Sequence, residues 1–117
     1  MFRVIIAGGR DFADFELLER TMDNLLANTV DDVQVICGMA RGADSLGDMY
    51  AAKKKYSVQY FPADWDKYGK AAGPIRNKKM VEAADIVIAF WDGRSRGTRS
   101  LIEFARKANK RLIIFSI

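Results

Sequence analysis

The stretch "VICGMARGADSLGDMYAAKKK" (35–55) contains a change from one kind of secondary structure to another. Its first residues are apolar and β-branched, which is typical of a buried strand, and this run stops at Cys37. Gly38 and Gly42 then flank an arginine, and the residues that follow have helical spacing. A strand, a glycine-containing turn and a helix form a βα unit, so this stretch predicts a sheet whose strands are linked by helices.

The same alternation extends in both directions along the chain. Short apolar runs are separated by helical patterns at 15–28, 43–55, 73–84 and 97–109. Regular alternation predicts a Rossmann-like α/β fold, a three-layer sandwich with a five-stranded parallel sheet. We expect the strand order 3-2-1-4-5, and the flavodoxin-like order 2-1-3-4-5 stays open as the alternative. The five runs are "FRVIIA" (2–7), "VQVICG" (33–38), "VQYFPA" (58–63), "DIVIAF" (85–90) and "RLIIFS" (111–116).

Apolar residues at three- and four-residue steps predict which face of each helix is buried. The longest stretch without a regular pattern is 62–73, "PADWDKYGKAAG", which we interpret as a functional loop. The predicted buried sets are Phe15, Leu18, Met22, Leu25 and Leu26; Leu46, Met49 and Tyr50; Ile75, Met80 and Ala84; and Leu101, Phe104, Ala105 and Ala108.

The composition restricts the classes of function. The chain has 117 residues, half of them hydrophobic, which predicts one ordered domain over 1–117. No apolar run reaches the roughly 18 residues that span a bilayer, and "MFRVIIAGGRDF" is interpreted as a first strand and not a signal peptide. A cytoplasmic protein without a membrane partner is therefore the expectation. One cysteine and no histidine exclude an internal disulfide, Ser-His or Cys-His catalysis and histidine-ligated metals.

The formal net charge of +4 favours anionic ligands, from mononucleotides to nucleic acid. The only basic triplet is "KKK" at 53–55, so the charge alone does not establish DNA binding. No metal cluster is visible in the sequence, and no cofactor is assigned. A Mg²⁺ ion arriving with the phosphates of a ligand stays compatible with the sequence.

The candidate site residues follow the strands, because ligands of open parallel sheets bind beyond the carboxyl ends of the strands. Glycine allows backbone N–H groups to approach an anion, a helix N-terminus adds positive potential, and arginine binds phosphate in a bidentate manner. The expected ligand-binding residues are Gly8, Gly9, Arg10, Asp11, Gly38, Arg41, Gly42, Asp44, Trp65, Arg76, Asn77, Gly93, Arg94, Gly97 and Thr98.

Each of these features also has a structural explanation. Asp44 could be a helix N-cap, and Gly97 with Thr98 could simply begin a helix. Trp65 could anchor a loop, and the arginines after the fourth strand could form a solvated face or a nucleic-acid patch. The sequence contains neither a GxGxxG fingerprint nor a P-loop. The convergence of several loops on one sheet edge therefore carries the prediction.

Four blocks in order, "AGGRDF", "GMARGAD", "FPADWDKYGKAAGPIRNKKM" and "ADIVIAFWDGRSRGT", resemble the YspA-like branch of the SLOG superfamily. That superfamily groups the lonely-guy phosphoribohydrolases with the DNA-processing protein DprA. The resemblance covers nearly the whole chain and implies a Rossmann-like fold, a pocket for nucleotide-derived ligands and a homodimer.

The resemblance also implies roles for single residues. Gly8, Gly9 and Arg10 match the first glycine-rich loop, and "GMARGAD" is similar to the corresponding DprA turn. Arg76 with Met80 looks like the "RKxxM" helix, in which the arginine is catalytic, although Asn77 replaces the lysine. Gly97 and Thr98 match the "GT" of "PGGxGTxxE", but Leu101 stands where that motif has its glutamate.

Three functions are compatible with these residues. The first is a module that binds a nucleotide-derived molecule through Arg10, Arg41, Arg76, Gly97 and Thr98 and senses, carries or sequesters it. The second is a nucleotide N-glycosidase in which Arg76 orients the phosphoribosyl group and Asp92 or Glu103 stabilises the developing cation; Asp11 and Asp44 are further candidate carboxylates. The third is a single-stranded nucleic-acid binder, which would use basic and aromatic loops.

Overall fold

The structure is a computed structural model that describes residues 1–9, 11–38 and 43–117, without the side chains of Ala43 and Asp44. The strands are β1 (Phe2–Gly8), β2 (Val33–Cys37), β3 (Ser57–Tyr60), β4 (Ile86–Trp91) and β5 (Arg111–Ser116). The helices are α1 (Phe15–Leu26), α2 (Ala43–Lys54), α3 (Trp65–Tyr68), α4 (Ala72–Ala83) and α5 (Arg96–Lys107), and a 3₁₀ turn at Gly69–Ala71 joins α3 to α4.

All five strands are parallel and lie in the order β3-β2-β1-β4-β5. This confirms the expected order 3-2-1-4-5 and excludes the flavodoxin-like alternative. β1 is central and pairs with β2 on one side and β4 on the other, with Val4 opposite both Val35 and Ile86. The strand order therefore reverses between β1 and β4, and the carboxyl ends of these two strands are where a Rossmann-like sheet binds its ligand.

Helices cover both faces of the sheet, which explains why the central strands are continuous apolar runs. Val4 and Ile6 of β1 pack in the core that includes α1 and α2, through Leu18 and Tyr50 among others. Ile5 and Ala7 point to the opposite face, because side chains alternate along a strand. The core on that face is completed by Met80, Val81 and Ala84 at α4 and by Leu101, Ile102 and Ala105 of α5.

The predicted helix faces are wrong at three positions. Met49 is exposed because the buried face of α2 includes Gly47, where an added Cβ would lie only 3.4 Å from Ile6 Cβ. A count of large apolar residues could not find this close approach. Leu25 is 38% exposed at the edge of the α1 stripe, and Ala108 is exposed because α5 ends one residue earlier.

The stretch 62–73 is not the irregular loop expected from the sequence. Asp64 begins α3, and its carboxylate accepts the backbone N–H of Lys67 at 3.1 Å. Gly69, with φ of 55°, ends α3, and the 3₁₀ turn then leads directly into α4. The connection from β3 to β4 is thus largely helical. No helix in the described part of the chain is long and apolar enough to cross a membrane.

Candidate functional site

The loop between β4 and α5 is folded around the carboxylate of Asp92. Its Oδ1 accepts the backbone N–H groups of Arg94, at 2.8 Å, and Ser95, at 2.9 Å. Gly93, which directly follows Asp92, has φ of 82°. The hydrogen bonds from Ser95 and Arg94 hold the pKa of Asp92 below its ordinary value of 3.8. Asp92 is therefore ionised at neutral pH and acts only as a hydrogen-bond acceptor.

Ser95 is the N-cap of α5. Its Oγ accepts the backbone N–H of Thr98 at 3.4 Å and lies 3.1 Å from the Thr98 hydroxyl. Trp91 Nε1 donates to the Ser95 carbonyl oxygen at 3.2 Å, and the guanidinium of Arg99 lies over the Trp91 ring at 5.7 Å. These contacts fix the start of α5, and they engage the buried Thr98 side chain in the helix cap.

The end of β1 approaches this loop closely at Gly9. A Cβ added to Gly9 would lie 3.5 Å from Ser95 Cβ and 3.9 Å from Asp92 Oδ2. Any side chain larger than alanine would have to run along the loop. The glycine predicted as a ligand-binding residue thus also allows β1 to meet the start of α5.

Arg76 links α4 to the end of β2. Its Nε donates to Asn77 Oδ1 at 2.8 Å, and its Nη1 donates to the carbonyl oxygen of Gly38. Asn77 is buried, while the Arg76 side chain is half-buried. These two hydrogen bonds fix the guanidinium at the carboxyl edge of the sheet.

Two cavities open at this edge, and we refer to them as the first and the second cavity. The first has a volume of about 860 Å³ and lies on the α1 side of the α5 start. The second has a volume of about 360 Å³ and lies on the α4 side. The first is lined by Gly9, Asp11, Phe12, Ala13, Asp14, Leu17, Asp92, Arg94, Ser95, Arg96, Gly97 and Ile117. The second is lined by Ala7, Gly8, Trp65, Gly73, Pro74, Arg76, Asn77, Ser95, Arg96, Gly97, Thr98, Ser100 and Leu101.

The two cavities differ in charge. Carboxylates of Asp11, Asp14 and Asp92 line the first cavity. The described residues around the second cavity include Arg76 and Arg96 but no carboxylate. Arg94 and Arg96 line the first cavity as well, so that its positive and negative charges are mixed. The second cavity is therefore the more favourable environment for an anion, whereas the first also presents hydrogen-bond acceptors. The described residues contain no group of three or more Asp, Glu or Cys side chains that could hold a metal ion.

The structure separates the residues predicted from sequence into two groups. Gly8, Trp65, Arg76, Asn77 and Thr98 line the second cavity, and Gly9, Asp11, Asp92 and Arg94 line the first. Gly97 lines both cavities, Gly38 accepts a hydrogen bond from Arg76, and Gly93 forms the turn after Asp92. Arg10, Arg41, Gly42 and the side chain of Asp44 lie outside what the structure describes.

Glu103 is not brought to the site. It is exposed in the second half of α5 and lines neither cavity. Leu101, at the position where the resemblance implies glutamate, is 6% exposed and forms part of the wall of the second cavity. The two positions differ by about 200° around a helix of 3.6 residues per turn, which explains their different surroundings.

The predicted site omits residues that the structure places at the cavity walls. Ser95 was recognisable as an N-cap, because a serine three residues before Thr98 has the spacing of a helix start. Phe12 and Leu17 carry no comparable signal, since nothing in their spacing distinguishes them from ordinary core residues.

Comparison with known proteins agrees with this architecture. The model of the YspA, cpYpsA-related SLOG family (YAcAr) matches residues 2–68. The chain belongs to this family. The Gene 61 protein of Mycobacterium phage D29 is 37% identical over 121 residues, covering 98% of this chain and 97% of that protein.

Two solved structures share the fold. DNA processing protein A (DprA) from Streptococcus pneumoniae superposes with a TM-score of 0.77 at 17% identity, covering 97% of this chain and 50% of that chain. The protein TM1055 superposes with a TM-score of 0.69 at 18% identity, covering 96% of this chain and 72% of that one. The chain thus corresponds to half of the length of DprA, and at these identities the likeness establishes the fold alone.

Proposed function

We propose that this protein binds a phosphate-bearing, nucleotide-derived small molecule in the second cavity and does not cleave it. Such a module would sense, carry or sequester its ligand. One observation carries the proposal: the second cavity combines the start of α5 with Arg76, Arg96 and Trp65, and no carboxylate is among its described lining residues. Membership of a SLOG family is compatible with nucleotide binding or with ribohydrolase activity.

The phosphate would bind at the first turn of α5. Arg96 and Gly97 belong to that turn, and their N–H groups have no carbonyl partner within the helix. The N–H of Thr98 already donates to the N-cap serine. The Arg76 guanidinium, held by Gly38 and Asn77, supplies a charge-assisted donor from the opposite wall. Arg96 adds a second positive charge, so a phosphate here is favoured by two guanidinium groups. A Mg²⁺ ion carried with the ligand is compatible with this arrangement.

A nucleobase would stack on Trp65. This side chain is 59% exposed, although it lines the second cavity and lies beside Gly73, where an added Cβ would be 3.5 Å from Trp65 Cη2. An aromatic ring with one free face at the mouth of a cavity is suited to a planar base. The volume of about 360 Å³ lies near the lower end of the range of about 300–1,000 Å³ for small-molecule sites.

Binding is favoured over cleavage because the required carboxylate is displaced. An N-glycosidic bond breaks through an oxocarbenium-like state, which a nearby carboxylate stabilises, by analogy with glycosidases. Apolar Leu101 occupies the position of the family glutamate, and Asp92 lines the other cavity. Asp11 also lines that cavity, so a phosphoribohydrolase reaction that used either carboxylate would need it to act from outside the phosphate-binding cavity. The side chain of Asp44 lies outside what the structure describes.

The test combines titration calorimetry with mass spectrometry of small molecules released by denaturation. AMP and GMP serve as probes, with Arg76→Ala as the variant and Lys78→Ala, an exposed lysine of the same helix, as the control with the same change of charge. A hydrogen bond to a charged group is worth about 1.5–3 kcal/mol, so we expect Arg76→Ala to weaken binding by about 10- to 100-fold. Lys78→Ala should leave the affinity nearly unchanged.

Two results would overturn the proposal. Release of free base and ribose phosphate, lost in Asp92→Asn, would establish a hydrolase. Binding of single-stranded oligonucleotides with a steep salt dependence, and no competition by mononucleotides, would establish a nucleic-acid binder. The DprA neighbour is named for DNA processing.

A further inference from the structure

We propose that the ligand is a dinucleotide, with its phosphate linkage at the start of α5 and one nucleoside half in each cavity. This inference rests on the proposed function of the second cavity and extends it to the first. It assigns a role to the larger cavity, which a mononucleotide bound beside Arg76 would leave empty.

The shared wall is the first observation. Ser95, Arg96 and Gly97 line both cavities, so the two cavities lie on either side of the start of α5. The consecutive glycines at the end of β1 follow the same division, since Gly8 lines the second cavity and Gly9 the first. A group bound at the start of α5 therefore faces both cavities at once. A ligand with a substituent on each side of its phosphates can occupy both.

The sizes of the cavities are the second observation. At about 860 Å³, the first cavity has more than twice the volume of the second. It is lined at one end by Phe12, which stacks on Phe90 with a centroid distance of 4.9 Å and is therefore a fixed wall. Leu17 and Ile117 add apolar surface, which would bury the faces of a base.

The charges decide what the first cavity can accept. Asp11 and Asp92 would repel a further phosphate, but ionised carboxylates accept hydrogen bonds from the hydroxyl groups of ribose. The low pKa of Asp92 keeps that carboxylate an acceptor at neutral pH. The first cavity thus suits an uncharged nucleoside. Arg94 lines the first cavity, Arg76 lines the second, and Arg96 lines both. Their guanidinium groups would bind the linking phosphates.

The test compares base-matched pairs of probes by titration calorimetry: AMP with diadenosine diphosphate, and GMP with diguanosine diphosphate. In at least one pair we expect the dinucleotide to bind about tenfold more tightly or better, which corresponds to about 1.4 kcal/mol. Ala13→Trp, at an exposed alanine that lines the first cavity, should remove this advantage and leave mononucleotide binding unchanged. Ala52→Trp, at an exposed alanine that lines neither cavity, is the matched control and should retain it.

A second variant separates a steric effect from a chemical one. Asp11→Ala should weaken dinucleotide binding and leave the mononucleotide unaffected, while Asp31→Ala, at an exposed aspartate outside both cavities, should change neither. A dinucleotide that binds no more tightly than its mononucleotide in both pairs would overturn this inference alone, provided that mononucleotide binding depends on Arg76. An advantage that survives Ala13→Trp would overturn it as well. If no probe binds, or if binding does not depend on Arg76, the proposed function itself is overturned.

Discussion

Cationic side chains are arranged in opposite ways in two regions of this molecule. Between α1 and α2, Lys53 lies 2.6 Å from Glu19 Oε2, and Lys54 lies 3.7 Å from the same oxygen and 3.1 Å from Asp23 Oδ2. The hydroxyl of the fully buried Tyr50 donates to Asp23 at 2.8 Å. We call this group the α1–α2 cluster, and its positive charges are neutralised by the protein itself.

Among the residues that the structure describes, none neutralises the arginines of the second cavity in this way. Every ion pair in the described part of the chain belongs to the α1–α2 cluster. Arg76 donates instead to an uncharged amide and a carbonyl oxygen, which fix its position without cancelling its charge. Arg96 lies exposed at the wall that both cavities share.

This difference separates charged side chains that are paired within the protein from arginines that make no ion pair with a described residue. Desolvation alone would raise the pKa of Asp23, but the hydrogen bonds from Tyr50 and Lys54 outweigh it and lower the pKa below 3.8. The charges of the α1–α2 cluster are therefore balanced within the protein. Arg76 and Arg96 make no ion pair with a described residue, so they favour any anion that enters the cavity.

The largest expected effect concerns the face of the sheet that α1 covers, which we call the α1 face. Its core should contribute more to the free energy of unfolding than the wall of the second cavity. Phe90 is fully buried and stacks on Phe12 at 4.9 Å and on Phe115 at 5.4 Å. Phe90→Ala should lower the free energy of unfolding by about 3–5 kcal/mol, measured by urea denaturation. Leu101→Ala, in the wall of the second cavity, should cost about 2 kcal/mol because its side chain already borders open space. Equal losses would show that the cavity face is packed as tightly as the α1 face.

An intermediate effect is expected from a pair of variants that act on different properties. Arg96→Ala should raise the dissociation constant of the bound nucleotide by about tenfold and change stability by less than about 0.5 kcal/mol, because this side chain is exposed. Tyr50→Phe should lower the free energy of unfolding by about 1 kcal/mol, through loss of the hydrogen bond to Asp23, and leave the affinity unchanged. Calorimetry and urea denaturation of both variants measure the two properties.

Two results would contradict the difference between the α1–α2 cluster and the second cavity. A loss of stability in Arg96→Ala would make that arginine a structural residue. A loss of affinity in Tyr50→Phe would show that the α1–α2 cluster is coupled to the ligand site.

The sequence was sufficient for the fold because its signals are local. β1, β2, β4 and β5 are largely apolar runs, and covering both faces of the sheet makes these runs continuous. The prediction was less accurate for the edge strand β3, which is mostly exposed and ends at Tyr60, whereas the predicted run extended over 58–63. Helix orientation was less predictable, because it depends on small residues. Gly47 is buried against Ile6, and Met49 is therefore exposed to solvent. A glycine, however, carries no hydrophobic signal in the sequence. Such a close approach becomes visible only when the helix is placed on the sheet.

The sequence predicted which edge of the sheet carries the candidate site, but not that this site consists of two cavities. The loops after β1 and β4 must meet because their strands are neighbours, so Gly9 and Asp92 could be placed together in advance. Which side of α5 each residue faces depends on helix packing on the two faces of the sheet. Phe12 and Leu17 were therefore not among the predicted site residues, although both line the first cavity.

The smallest expected effect concerns the Asp92 turn, whose charge is balanced by backbone N–H groups and not by a cation. Because its pKa is lowered in the folded state, ionised Asp92 contributes stability above the pKa of the unfolded chain, and this contribution is lost as the pH falls through the folded-state pKa, below 3.8. Asp92→Asn should lower the melting temperature slightly at pH 7, since solvent screens the charge, and the difference should diminish as the pH falls through the folded-state pKa of Asp92. Thermal unfolding between pH 2.5 and pH 7 measures this difference in melting temperature, with Asp31→Asn as the control for a surface carboxylate. This pH range was chosen because it brackets the ordinary pKa of about 3.9 for Asp. If the difference in melting temperature persists in acid, the amide of the variant is a poorer hydrogen-bond acceptor than the carboxyl group of Asp92. In that case geometry, and not charge, holds the turn.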